Sequence, residues 1–129
     1  MLTVPQLTRA LAQQLGPILP AGVTADADER NVIIHTRWGR DWFNLADNIE
    51  LNVADGLTQA EVIESVVNNQ LESLSQIVTY HLATPWPQMP GMGRSQFASA
   101  WAEVRDGILT IQFGAGDELL FPPIRIDLR

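Results

Sequence analysis

The hydrophobic positions at the start of the chain recur at the spacing of an amphipathic helix. The apolar stripe consists of Val4, Leu7, Leu11 and Leu15. Thr3 and Gln6 have the separation of a capping box, and Gly16 stands where a glycine would end a helix. The pattern predicts a short first helix that ends at Gly16.

After this helix the pattern changes to short runs that favour strands. A polar turn at residues 28–31 separates residues 23–27 from the β-branched run 32–34, and a second reversal falls near residues 38–41. From Phe43 to Val53 apolar and polar residues alternate, which predicts a third strand with Asp47 on its apolar face. We therefore expect at Asp47 either a β-bulge or a hydrogen-bonded buried carboxylate.

Residues 58–82 have the pattern of one long helix. Thr58 and Glu61 form a second capping box, and neither glycine nor proline interrupts the residues that follow. At 100° per residue one face is apolar and the other polar, which predicts a helix between a core and water. The apolar face holds Ile63, Val66, Val67, Leu74, Ile77 and Val78, and the polar face Glu61, Glu64, Asn68, Glu72, Ser75, Gln76 and Thr79.

Three prolines and two glycines at residues 83–96 predict a loop of about a dozen residues, long enough to be functional or mobile. Beyond it, Asp106 and Gly107 have the signature of a type I′ hairpin turn. That turn would pair Val104 with Leu109 and place Trp101 on the face opposite the core. A terminal strand is predicted where apolar residues alternate over 124–128.

The order α-β-β-β-α-β-β-β predicts an α+β fold with an antiparallel sheet of five to six strands and two helices on one face. Such a sheet can leave its other face open to solvent. Small acidic secretion chaperones have a similar order of elements, a resemblance of architecture that no motif carries.

Composition limits the chemistry that this domain can perform. The 129 residues suffice for one domain, 1–129, and 46% hydrophobic residues exclude disorder as its main state. Because the chain has neither cysteine nor lysine, thiolate nucleophiles, zinc–thiolate sites and Schiff-base chemistry are excluded. We expect no metal and no cofactor, and this inventory favours a non-catalytic role.

The charge and hydropathy patterns indicate which partners to expect. Fifteen acidic residues stand against eight arginines, a formal charge of −7, so we expect no binding to nucleic acid. No apolar run approaches the ~18 residues that span a bilayer, and the N-terminus lacks a secretory pattern. We expect a cytoplasmic protein that does not contact a membrane.

Two buried-side residues of the long helix are candidates for a small pocket. His81 and Gln70 both fall within its apolar stripe, where a polar side chain needs a partner. They would either line a pocket under the 83–96 loop or serve only as hydrogen-bonded core residues. The residues 26–31 faintly match a calcium loop, but Arg30 stands at a ligand position, so a solvated turn is the interpretation.

Tryptophan, methionine and arginine, which are enriched at protein interfaces, recur outside the predicted core. The predicted interaction surface consists of Trp38, Arg40, Trp42, Trp86, Met89, Met92, Arg94 and Trp101. The alternative is that each covers the edge of the core or stacks locally with an arginine.

Three functions follow from these patterns. The first is a non-catalytic protein-binding or assembly module, a homodimer or a partner-binding domain, acting through the open sheet face and the 83–96 loop. The second is a small-ligand-binding domain or weak enzyme with a pocket under that loop. The third, by architecture alone, is an acidic peptide binder similar to the secretion chaperones.

Overall fold

The computed structural model describes residues 2–54 and 56–129. The helices are α1 (Val4–Leu15), followed by a 3₁₀ turn (Gly16–Ile18), α2 (Leu45–Ala54) and α3 (Gln59–Leu82). The strands are β1 (Thr24–Ala27), β2 (Asn31–Thr36), β3 (Gly39–Asn44), β4 (Ser99–Arg105), β5 (Ile108–Ala115), β6 (Glu118–Leu119) and β7 (Ile124–Asp127). The fold is α+β.

The strands form two antiparallel sheets rather than the predicted single sheet of five to six strands. The first sheet has the order β1-β2-β3, and the second has the order β4-β5-β6 with β7 also paired to β5. Strand β4 therefore lies at an edge of the second sheet. One cluster of buried hydrophobic residues includes members of all three helices and of both sheets.

The third strand ends earlier than the alternation predicted, because residues 45–54 form helix α2. This helix makes three helices where two were expected. Leu45 and Ile49 are buried four residues apart, a spacing that suits a helix as well as a strand. The side-chain oxygen of Asn44 accepts from the backbone N–H of Asp47, as a residue at a helix start does.

The prediction for Asp47 was accordingly wrong, since the residue lies neither in a β-bulge nor in the core. Its carboxylate is exposed in the first turn of α2 and forms an ion pair with Arg30, whose guanidinium also reaches Glu50. These carboxylates raise the pKa of Arg30, mainly through the hydrogen bond that its guanidinium donates to Asp47. The arginine links the β1–β2 turn to α2.

The starts of helices α1 and α3 and the β4–β5 hairpin are as predicted. Capping boxes begin α1 at Thr3 and α3 at Thr58, with both reciprocal hydrogen bonds present in each. The β4–β5 hairpin turns at Asp106 and Gly107, which both have positive φ. Its register pairs Val104 with Leu109 and places Trp101 opposite Gln112.

The close approach of β6 to β5 depends on a glycine. A Cβ atom at Gly114 would lie 2.0 Å from the carbonyl oxygen of Glu118 and 3.0 Å from Cα of Leu119. Because both neighbours are backbone atoms, they have no side-chain rotation with which to move away. Only a residue without a side chain fits between these strands.

We expect the substitution Gly114→Ala to lower the free energy of unfolding by about 2–3 kcal/mol, since overpacking forces the strands apart. Urea denaturation measures the loss. Gly16→Ala is the control, because no atom lies within 4 Å of a Cβ there and its φ is −49°. Equal unfolding midpoints for Gly114→Ala and the native protein would mean that β6 does not pair with β5 in solution.

Candidate functional site

Helix α3 runs beside the free edge of β4 and bonds to that edge through its side chains. The amide of Asn68 makes two hydrogen bonds with the backbone of Ala102, donating to its carbonyl at 2.9 Å and accepting from its N–H at 2.8 Å. One turn earlier, the Glu64 carboxylate accepts from the N–H of Val104 at 2.9 Å. These side chains occupy backbone groups that another strand would otherwise use.

A groove opens beyond this bonded part, between α3 and the first residues of β4. We call it the α3–β4 groove, and its volume is about 810 Å³. Its α3 wall consists of Asn68, Asn69, Leu71, Glu72, Ser75, Gln76, Thr79 and Tyr80, and its other wall of Pro87, Phe97, Ala98, Ser99 and Ala100. Tyr80 is 83% exposed and Phe97 46% exposed. Two largely exposed aromatic rings thus border the groove.

The groove carries one carboxylate and no cationic side chain among its lining residues. Glu72 lies on the solvent-exposed face of α3, in the same stripe as Glu64 and Asn68. The remaining polar lining consists of amides and hydroxyls, of which Asn68, Ser75 and Thr79 already bond the protein's own backbone. The side chains of Asn69, Gln76 and Ser99 are left to bond peptide groups of a ligand. The lining as a whole suits a ligand with apolar parts, backbone-like polar groups and a positive charge.

The loop that follows α3 is tied to the helix at its start. The hydroxyl of Ser75 donates to the carbonyl of Trp86 at 2.6 Å, and the N–H of Trp86 donates to Thr79 at 3.1 Å. The indole of Trp86 packs on Phe113, with ring centroids 6.0 Å apart. Trp86 therefore anchors the loop to the core cluster.

The rest of the loop, residues 87–98, returns to the point where it leaves the core. The N–H of Ala98 donates to the carbonyl of Pro87 at 2.7 Å, which brings the two ends together. Within it the Gln88 amide donates to the carbonyls of Gly93 and Gln96. Met89 and Met92 are half-buried, whereas Arg94 is exposed.

We expect trypsin to cut the native protein first after Arg94. The surrounding residues 87–98 do not pair with any strand, so local opening there costs little. Removing the two Gln88 hydrogen bonds with Gln88→Ala should accelerate this cut about fivefold, the effect of losing ~1 kcal/mol. Mass spectrometry of the first fragments identifies the site. Prior cleavage at Arg105, inside the β4–β5 hairpin, would contradict the expectation.

The other predicted surface residues lie in two further places. Trp38, Arg40 and Trp42 belong to the β2–β3 hairpin, where Trp38 is 67% and Trp42 59% exposed. The guanidinium of Arg37 lies 4.5 Å from the centre of the Trp38 ring, a local cation–π pair. Trp101 is half-buried on β4 and does not belong to the core cluster. The eight predicted residues thus lie in three parts of the chain: the β2–β3 hairpin, the loop after α3 and strand β4.

The predicted pocket residues Gln70 and His81 do not meet. They are eleven residues apart on α3, about 16 Å along a helix. Neither lines the α3–β4 groove or the second cavity, whose volume of about 10 Å³ is too small for a ligand. Gln70 is buried, and its side-chain oxygen has no partner among the described residues.

His81 instead joins the end of α3 to the β2–β3 hairpin. Its Nε2 lies 2.9 Å from the carboxylate of Asp41, and its Nδ1 lies 3.3 Å from the hydroxyl of Thr36. The Thr36 hydroxyl also accepts from the N–H of Trp38 and donates to the carbonyl of Gly39. A hydroxyl, an imidazole and a carboxylate are thus joined in a row, but none of the three residues lines either cavity. The row therefore has the role of a structural link between α3 and the hairpin.

Sequence reasoning missed the residues through which α3 bonds β4 and lines the groove. Glu64, Asn68 and Glu72 follow one another at four-residue spacing, which places them on a single stripe of α3. The sequence assigned that stripe to solvent, whereas two of its members bond an edge strand. Polar residues at this spacing on a helix, next to an edge strand, were the available signal.

Two further observations concern residues 2–54 and 56–129. No group of three histidine, aspartate or glutamate side chains in these ranges is placed to hold a metal ion. None of the helices described there has the length and apolarity needed to cross a bilayer.

The turn at residues 28–31 is held by the carboxylate of Asp28. The pKa of this carboxyl is lowered by hydrogen bonds from the backbone N–H of Arg30 and from the side chain and backbone N–H of Asn31.

Comparison with protein-family models, with curated proteins and with solved structures gives no match to this chain. Its function has to be inferred from its own geometry.

Proposed function

We propose that this chain is a non-catalytic protein-binding module that recognises its partner through strand β4. Recognition involves the α3–β4 groove on the edge of the strand and Trp101 on its outward face, with the loop after α3 at the border. The observation that carries the proposal is an edge strand with an open groove beside it, where Tyr80 and Phe97 are left exposed.

Several features favour a protein segment as the occupant. Aromatic side chains free of the core are the groups that contribute most to protein interfaces. Proteins blunt most strand edges against unwanted pairing, and here α3 protects β4 only at Ala102 and Val104. The open part of the edge adjoins apolar and aromatic residues, which is the arrangement that peptide-binding sheets use.

Selection from a displayed library of random heptapeptides tests the proposal. We expect enriched sequences to bind the native protein with micromolar dissociation constants in fluorescence anisotropy. The substitution Gln76→Trp fills the groove from an exposed helix position and should weaken these peptides at least tenfold. Ser65→Trp, on the same helix but outside the groove, is the matched control and should leave their affinity unchanged.

Two outcomes would refute the proposal. One is a selection that enriches no sequence above the background of an unrelated protein. The other is a set of peptides that bind the native protein and both tryptophan variants equally, because their site would then lie elsewhere.

A small-ligand function is the second candidate, since the groove volume of about 810 Å³ falls within the range of ligand pockets. A fragment screen by ligand-detected NMR distinguishes this function from protein binding. Fragments that bind the native protein and Ser65→Trp but not Gln76→Trp, in a protein that selects no peptide, would favour this candidate over the first.

A further inference from the structure

The side chains of α3 and the backbone of β4 form a ladder with a regular spacing. Four helix residues advance about 6.0 Å, and two strand residues advance about 6.6 Å, so the two repeats nearly match. Glu64 bonds Val104, and Asn68 bonds Ala102. The next pair in this series is Glu72 and Ala100.

The series stops before that pair. No side chain among the described residues bonds the backbone of Ala100, and Glu72 is exposed at the groove. In an antiparallel pair, alternate residues turn both backbone groups away from the partner strand. Since Ala102 turns its groups toward α3, Ala100 turns its N–H and C=O to the same side. An unused donor and acceptor of the sheet therefore face the groove.

We propose, building on the function proposed above, that the partner's segment binds as an added strand, exchanging two backbone hydrogen bonds with Ala100. The segment is short and extended, because the edge is occupied on both sides of this residue. Asn68 fills the position at Ala102, and the carbonyl of Pro87 already accepts from the N–H of Ala98.

The two faces of such a strand meet different surfaces. Side chains on the face of Ala100 enter the groove toward α3, whereas those on the other face lie beside Trp101 on the outward side of the sheet. This alternation unites the groove and Trp101 in one binding mode.

The charge of the segment follows from Glu72. It is the one carboxylate in the groove lining, no cationic side chain lines the groove, and the whole chain carries a formal charge of −7. Because Glu72 does not bond the backbone of Ala100, its carboxylate is left to pair with a lysine or arginine of the segment. The preferred partner is therefore an extended segment with apolar residues and one basic residue.

Amide hydrogen exchange at single residues tests the backbone contact. A peptide from the selection described above should slow exchange of the Ala100 N–H at least tenfold on saturation. Ala102 is the internal control, because its N–H is bonded to Asn68 in the free protein and should change little. No added protection at Ala100, with a peptide bound in the groove, would overturn strand addition.

Methylation of single peptide nitrogens gives a second test that leaves the protein unaltered. Scanning the backbone should reveal one position at which methylation weakens binding at least tenfold, since that nitrogen donates to the carbonyl of Ala100. Tolerance of methylation at every position would overturn strand addition while the proposed protein-binding function survived. Failure to select any groove-dependent peptide would defeat both.

The charge preference is tested on the same peptides. Exchanging their basic residue for norleucine should weaken binding to the native protein and to Glu29→Gln about threefold, and binding to Glu72→Gln not at all. Glu29 is exposed in the β1–β2 turn and matches the change in charge. Selected peptides without a basic residue, or equal losses on all three proteins, would refute the role of Glu72.

Glu72 itself or a second copy of the chain could instead occupy the edge at Ala100. Hydrogen exchange in the free protein detects both. Protection of the Ala100 N–H that disappears in Glu72→Ala, which removes the side-chain acceptor, would mean that Glu72 itself closes the edge. Protection that rises with protein concentration, together with a dimer in sedimentation, would mean that a second copy of the chain pairs there. Either result overturns the proposal.

Discussion

Replacing Asn68 with alanine should lower the free energy of unfolding by about 2–3 kcal/mol and should make the protein self-associate. The substitution removes the partner of both backbone groups of Ala102, a residue only 6% exposed. A buried group left without a partner costs about 1–3 kcal/mol. The higher helix propensity of alanine offsets roughly 0.6 kcal/mol of that loss.

Self-association follows because the edge of β4 loses its protection. With Asn68 shortened, the free backbone groups of Ala100 and Ala102 form a continuous edge on which another strand can pair. Urea denaturation gives the change in stability, and sedimentation velocity over a range of concentrations detects the association.

Two further variants make this expectation specific. Asn69→Ala alters the neighbouring, exposed residue of the same groove and should change the stability by less than about 0.5 kcal/mol. Asn68→Asp keeps the acceptor for the N–H of Ala102 but turns a carboxylate oxygen toward its carbonyl, between Glu64 and Glu72, so a loss at least as large as that of Asn68→Ala is expected. Equal stability of Asn68→Ala and Asn69→Ala would show that α3 does not protect the edge of β4.

Replacing Trp101 with alanine should leave the thermal midpoint nearly unchanged and weaken partner binding at least tenfold. The hairpin register fixes Trp101 opposite Gln112, on the face of β4 away from the buried Ala102 and Ile111. An indole on this face loses little when it is truncated in the free protein. Covering it with a partner contributes ~1.5–3 kcal/mol, and ~1.4 kcal/mol is a factor of ten in affinity.

Trp42→Ala is the matched control, since Trp42 is an exposed tryptophan on the first sheet and is remote in sequence from the groove. It should leave the affinity for selected peptides unchanged. A core role for Trp101 predicts the opposite result, a loss of ~3–5 kcal/mol of stability. Thermal melts and peptide titrations on the two variants separate these cases, and sedimentation of both detects any dimer that depends on Trp101.

Helix starts and turns were predictable wherever the local sequence favoured a single conformation. The capping boxes at Thr3 and Thr58 set the starts of two helices, because each satisfies free N–H groups at a helix end. The Asp106–Gly107 turn set the register of the β4–β5 hairpin, because few residue pairs adopt positive φ in succession.

Residues 45–54 were mispredicted because two periodicities overlap there. Leu45, Ile49 and Val53 are apolar at four-residue spacing, which fits a helix, and they also fall on alternate positions that fit a strand. Packing of α2 against α3 and the pairing of Arg30 with Asp47 favour the helix. Both contacts join α2 to residues outside its own segment, which the local pattern does not report.

The groove was beyond prediction for a related reason. The sequence indicated which residues of α3 are polar, but it did not indicate that Asn68 and Glu64 would bond a strand more than thirty residues later. It also gave no way to tell that Gln70 and His81, on the same predicted face, would have unrelated surroundings.

By itself, the sequence determined the α+β class, the two capped helices and the hairpin that turns Trp101 away from the core. Each of these depends on propensities and hydrogen bonds within a few residues of one another. The division into two sheets, the placement of α3 along β4 and the unbonded edge at Ala100 were decided by tertiary packing alone. They depend on how surfaces from distant segments fit together, and a periodic pattern carries no information about which distant surface a face will meet.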